Sequence, residues 1–331
     1  MENCSIKNKK FEFSSPIALG LLNAIPFAKS PIEAVLFHAE MLIVESGMAE
    51  PPFSPEVYAP LRNVKQVLYK DMKIDGRLIP SNNDFIVELR KDRSAERINF
   101  TFAHELAHTF FYESVPSIKC RTLETNYPEY DEEEEKLCDI AASELLMPAS
   151  VFSKIVKDFS PSPHALKRIS QLFKTSLQAT LVKLQILGLW NANFVLWKFK
   201  NEKPEAQWIA RPFYGLSYEP KFILLDFNET SIYHTFLTGD DTADFELFSL
   251  NGVYKKSFFK SIQLNSTTVL SCFTNNPNNE STLTNKDRSD LPPLTSKYIC
   301  RCDGTGWYPI RQNGMKYAAR CLALKHQNQR S

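Results

Sequence analysis

His104, Glu105 and His108 are the residues of this chain whose types and spacing most clearly do chemistry. Histidines four apart on a helix lie one turn apart on the same face, so both imidazoles reach a single ion. Glu105, beside the first histidine, is left to act on a water rather than on the metal. This is the H-E-x-x-H arrangement, in which zinc acidifies a water and the glutamate takes its proton. Two of the six histidines fall in this one turn. Phe102, Ala103, Leu106, Ala107, Phe110 and Phe111 surround them, as in a helix buried in a core. Two histidines placed there by accident would each need a polar partner in an apolar setting, which favours the metal reading.

A zinc site takes a third protein ligand and keeps one position open. The segment from Asp131 to Leu146 is predicted to be a second helix, and its start carries Glu132-Glu133-Glu134-Glu135-Lys136-Leu137-Cys138-Asp139. Such an acidic run suits an ordinary solvated helix start. Glu135 and Asp139 nevertheless share a face, so Glu135 can bind the metal while Asp139 holds a ligand histidine by its other nitrogen. Glu132, one turn earlier on roughly the same face, is the alternative ligand.

The stretch Arg97-Ile98-Asn99-Phe100-Thr101-Phe102-Ala103-His104-Glu105-Leu106-Ala107-His108 resembles the R-x-x-F-T-x-A-H-E-L-x-H core of the ImmA/IrrE metallopeptidases. The second block, Glu135-x-x-Cys138-Asp139-x-x-Ala142-x-x-Leu145-Leu146-Met147-Pro148, is similar to that family's E-x-x-A-N-x-F-A-x-x-L-L-M-P. Cys138 stands for the usual alanine, Asp139 for asparagine and Ala141 for phenylalanine. The resemblance spans residues 30 to 190 or so. It implies a zinc peptidase with His104, His108 and Glu135 as ligands and Glu105 as base and acid. The implied substrate is a helix-turn-helix repressor, cut in a stress, DNA-damage or phage-defence response. No repressor-like segment stands before the peptidase block, so the substrate is expected to be a separate protein.

The elements that must position these residues divide the chain into 1–149, 150–190 and 191–331. The first part is expected to be a zincin-like, mostly helical α+β peptidase domain with a small sheet. Residues 1–30 read as a lead-in. Ser30-Pro31-Ile32-Glu33 starts a helix that Gly47 ends. Asp71 to Pro80 carries turn signals, and Phe85 to Leu89 reads as a strand at the rim of the cleft. As an edge strand it would bind substrate by β-addition. Ser94 caps the histidine helix. Residues 150–190 read as three short helices that superficially resemble a helix-turn-helix. Lys167, Arg168, Lys174 and Lys183 are its candidate phosphate contacts, although packing beside the peptidase core is the expected role.

Residues 191–331 turn to β-like alternation and are similar, in order and α/β character only, to the GAF-like sensory domain that follows this core in some relatives. Phe258, Phe259, Trp307, Tyr308 and Tyr317, with Lys255, Lys256, Lys260 and Arg311, suggest a surface for single-stranded DNA as an activator. The competing expectation for these aromatics is a plain hydrophobic core.

A formal charge of +1 gives no global basic field. No apolar run is long enough to span a membrane, and the first residues lack a signal-peptide pattern. Seven scattered cysteines suit free thiols in a reducing compartment, so a cytoplasmic protein is expected. Cys120, between the ligand helices, reads either as an ordinary loop cysteine or as an inhibitory fourth zinc ligand. Tyr112, Tyr127 and Tyr130 are candidates for the oxyanion-stabilising group by position. Two rival functions stand beside proteolysis. One is a DNA- or signal-binding regulator with a structural or vestigial zinc, and the other is a partner that sequesters a repressor uncut.

Overall fold

The computed structural model describes residues 12–114, 131–200, 203–208, 222–224, 227–250, 253–274, 307–312 and 315–320. Cys120, Tyr127, Tyr130, Cys300 and Cys302 lie outside them, as does the polar stretch 275–293. For 307–312 and 315–320 only the backbone is described.

Caps set the helix starts. Helix α1 (Pro16–Ala24) begins where the Ser15 hydroxyl accepts from the Ala18 N–H at 3.1 Å. Its signal, a serine before a proline, is the same as that of α2 (Pro31–Ser46), where Ser30 accepts from the Glu33 N–H at 3.2 Å. Residues 16–24 are therefore helix, where the sequence reading took a lead-in. Gly47, at φ 72°, ends α2 in the left-handed conformation that favours glycine. A short α3 (Pro55–Tyr58) and a 3₁₀ turn (Pro60–Arg62) follow.

Three strands come next: β1 (Val64–Lys70), β2 (Gly76–Ser81) and β3 (Asp84–Arg90). Their order is β1-β3-β2, with β1 parallel and β2 antiparallel to β3. The strand expected at the rim, Phe85–Leu89, is therefore the centre of the sheet and has no free edge. Among the described residues, the free edge near the histidine helix belongs to β2, in the segment that the sequence reads as a turn. Gly76 and Pro80 disguise it, since both are poor strand formers, but an edge strand tolerates proline. Asn82, at φ 58°, makes the tight turn into β3.

Helix α4 (Ala95–Ser114) carries the two histidines and follows Ser94, whose hydroxyl accepts from the Arg97 N–H at 3.3 Å. Helix α5 (Glu132–Leu146) is capped by Asp131, which accepts from the Glu133 and Glu134 N–H groups at 2.9 and 3.1 Å. Then come α6 (Ala149–Val156), α7 (Pro163–Phe173) and α8 (Leu177–Ile186). Lys174 at φ 51° separates the last pair. Lys183 does not point to solvent as a phosphate contact would. It is buried and pairs with Glu144 of α5 at 2.5 Å, so packing claims it.

The remaining strands are β4 (Ala192–Lys200), β5 (Lys203–Trp208), β6 (Phe222–Leu224), β7 (Thr242–Leu250), β8 (Val253–Asn265) and β9 (Thr268–Thr274). Helix α9 (Ser231–Thr238) lies between β6 and β7 in sequence. The six form one antiparallel sheet in the order β5-β4-β9-β8-β7-β6, and β10 (Trp307–Gln312) pairs with β11 (Met315–Arg320) as a hairpin. The fold is thus mixed helix and sheet, as expected, with a helical N-terminal part and a C-terminal sheet domain.

Side chains alternate across the six-stranded sheet. Phe194, Ile262, Leu270 and Cys272 join the core of the helical part. Val195, Trp197, Phe248, Phe259 and Phe273 pack with Ile232 of α9 in a second cluster. Phe259, one of the aromatics considered for stacking bases, is fully buried there and belongs to this core. Among the described residues no helix is long and apolar enough to cross a membrane.

Candidate metal centre

Successive helix positions turn by about 100°, so adjacent glutamates face different ways and only Glu132 and Glu135 come near one face. In α5 each meets a different set of partners. Glu132, the alternative ligand in the sequence reading, pairs with Lys136 at 2.7 Å on the outside. Glu133 accepts from the Ser14 and Ser15 N–H groups, both at 2.7 Å, and so fastens the start of α1. Glu134 lies 2.7 Å from Nδ1 of His108. Glu135 turns its two oxygens to the histidine pair, 3.1 Å from Nε2 of His104 and 3.7 Å from Nε2 of His108. One turn on, Asp139 lies 3.0 Å from Nδ1 of His104.

These distances suit a metal. A tetrahedral zinc with bonds of about 2.05 Å holds its donors about 3.3 Å apart. The oxygens of Glu135 stand close to that spacing from both Nε2 atoms, and the outer nitrogen of each ring already has a carboxylate partner. Two imidazoles and a carboxylate are also the donor chemistry of a hydrolytic zinc site. Burial alone would lower the His104 pKa, but hydrogen bonds to Asp139 and Glu135 outweigh it and carry it to about 10. His104 in turn holds the Glu135 carboxyl below its ordinary value. The site is thus built to hold positive charge among carboxylates.

A second donor set is within reach. Ligand atoms of His104, His108 and Cys138 all lie within 4.8 Å of one another. The geometry favours Glu135 over Cys138. The Cys138 sulfur approaches His108 from its Nδ1 side, at 3.5 Å, away from the nitrogen that faces Glu135. Burial also pushes the Cys138 thiol well up, so a metal would have to displace its proton before the sulfur could bind.

Glu105 is buried beside the histidines, and burial raises its pKa. The backbone N–H of Leu78, in β2, donates to its carboxylate. The edge strand therefore holds the glutamate of the H-E-x-x-H turn. Gly76 makes that contact close: a Cβ there would meet Thr101 Cγ2 at 2.4 Å and Glu105 Oε1 at 2.9 Å. Thr101 is β-branched and buried, so it has little room to yield. Gly76→Ala is expected to push β2 off α4 and lower turnover by about 10²-fold, since an ångström of misplacement has that effect. Steady-state cleavage compared with zinc affinity checks this, and affinity should stay at the wild-type level. Neither Gly76 nor Glu134 was found from the sequence. Tyr112 packs edge-on against Phe85 with ring centroids 5.1 Å apart.

The model of the IrrE N-terminal-like domain matches residues 66–185, from β1 through α8. This segment is similar to an IrrE N-terminal-like domain. It includes the sheet, both helices of the metal centre and the three short helices. The domain's family is one of metallopeptidases. A transcriptional regulator from Mycobacterium tuberculosis is a distant structural match, with 11% identity and a TM-score of 0.42, over 78% of this chain and 80% of its own. No curated protein matches.

Proposed function

We propose that this chain is a zinc-dependent endopeptidase that cleaves a separate helix-turn-helix repressor in a stress, DNA-damage or phage-defence response. The observation that carries this reading is the Glu135 carboxylate seated between the two Nε2 atoms, with Glu105 buried alongside. His104, His108 and Glu135 hold the metal. When bound, zinc supplies Lewis acidity toward a peptide carbonyl and an attacking water. Glu105 takes the proton from that water and passes it to the leaving amine. Its raised pKa suits both halves of that task. The outer edge of β2, next to Glu105, offers backbone partners to an extended substrate segment.

The C-terminal sheet domain is the proposed sensor, with single-stranded DNA as its activating ligand, and the protein works in the cytoplasm. A helix-turn-helix repressor encoded beside this chain is the substrate to test. Mixing the two with zinc, with a chelator, and with or without single-stranded DNA tests the reading. Cleavage at a defined bond is expected with zinc and is expected to disappear on chelation. A repressor left intact in every arm, with zinc bound to the chain, would overturn proteolysis and leave a DNA- or signal-binding regulator or a repressor-sequestering partner.

A further inference from the structure

The two nitrogens of an imidazole are distinct, and the partner of one fixes which way the other points. A ligand histidine that gives Nε2 to a metal carries its proton on Nδ1, and the group accepting that proton sets the ring's orientation. Two groups compete for Nδ1 of His108. The Glu134 carboxylate is at 2.7 Å, within range of a charge-assisted hydrogen bond. The Cys138 sulfur is at 3.5 Å, where a thiol makes only a weak contact. Glu134 is itself well fixed: its N–H is tied to the Asp131 carboxylate, and its side chain is 14% exposed. Asp139, the corresponding partner of His104, is 60% exposed. The His108 side of the centre is therefore the more firmly held. It is also the side that needs holding, because the Cys138 sulfur lies on the Nδ1 side of the same ring and offers a competing donor set.

We propose that Glu134 is the positioning residue of the metal centre: it fixes His108 so that Nε2 rather than Nδ1 faces the ion. The inference rests on the metallopeptidase reading above. Asp139, already expected from its place one turn after Glu135, does this for His104. Glu134 does it for His108 from the residue adjacent to the proposed ligand, so one helix supplies both outer partners and the third ligand.

The test is zinc binding by the metal-free full chain, measured by competition with a chromophoric chelator, with no substrate involved. Glu134→Ala is expected to weaken zinc binding 10–100-fold, a typical loss on removing an outer partner of a ligand histidine. Glu134→Gln should stay within about threefold of wild type, because the amide oxygen still accepts the Nδ1–H. Cys138→Ala should bind as wild type does. Wild-type affinity in Glu134→Ala overturns the inference alone, and so does an equal loss in Cys138→Ala. A wild-type chain that binds no more zinc than His104→Ala overturns the metallopeptidase reading and this inference with it.

Discussion

Glu105→Gln is expected to lower the rate of repressor cleavage by about 10²–10⁴-fold, the range a positioned acid–base group contributes. Zinc affinity should stay within about threefold of wild type. The two parts of this expectation have separate causes. Glutamine is nearly the same shape as glutamate, so its amide oxygen can still accept the Leu78 N–H that orients Glu105 from β2. It cannot take up a proton. The metal centre should not feel the change, because Glu135, and not Glu105, faces both Nε2 atoms. Single-turnover cleavage of the repressor and a zinc competition assay on the same preparations check the pair. Unchanged cleavage would remove Glu105 from the mechanism. A collapse of zinc affinity would make Glu105 a ligand and reopen the assignment of Glu135.

The parts of this molecule that were legible in the sequence are those written locally. Ser30 before Pro31, Ser94, and Asp131 before its glutamates each announce a helix within four residues, and α2, α4 and α5 start there. The histidine pair was legible for the same reason, since spacing along one helix settles which side chains share a face. The position of β2 was not. Its six residues contain Gly76 and Pro80, and they become a strand only by pairing with β3 and packing on α4. The centre and the edges of a three-stranded sheet depend on where β1 and β2 dock, so placing β3 at the rim failed. Glu134 was hidden differently. Two adjacent glutamates differ by a third of a turn, and which of them meets a ring nitrogen depends on how α4 crosses α5. No spacing rule contains that angle.

Lys183→Met is expected to lower stability by about 3–5 kcal/mol, the usual effect of removing one partner of a buried ion pair. Lys183 in α8 and Glu144 in α5 are each only 6% exposed, and their charged atoms are 2.5 Å apart. The other oxygen of Glu144 accepts the Ala149 N–H at 2.7 Å, at the start of α6. One carboxylate thus ties the three short helices to the helix that carries Glu134, Glu135 and Asp139. Without the ammonium, Glu144 keeps a buried charge with one backbone donor to hold it. The melting temperature should fall by roughly 10 °C, given a few degrees per kcal/mol in a protein of this size. Glu144→Met combined with Lys183→Met should recover most of the loss, because a matched apolar pair has no charge to strand. A single variant that melts within about 2 °C of wild type would mean that the apolar contacts of α7 and α8 hold the unit in place unaided. If instead the double variant recovers stability but binds zinc more weakly, the pair serves to set α5 in register with α4, and specificity of geometry rather than stability is what the buried charges maintain.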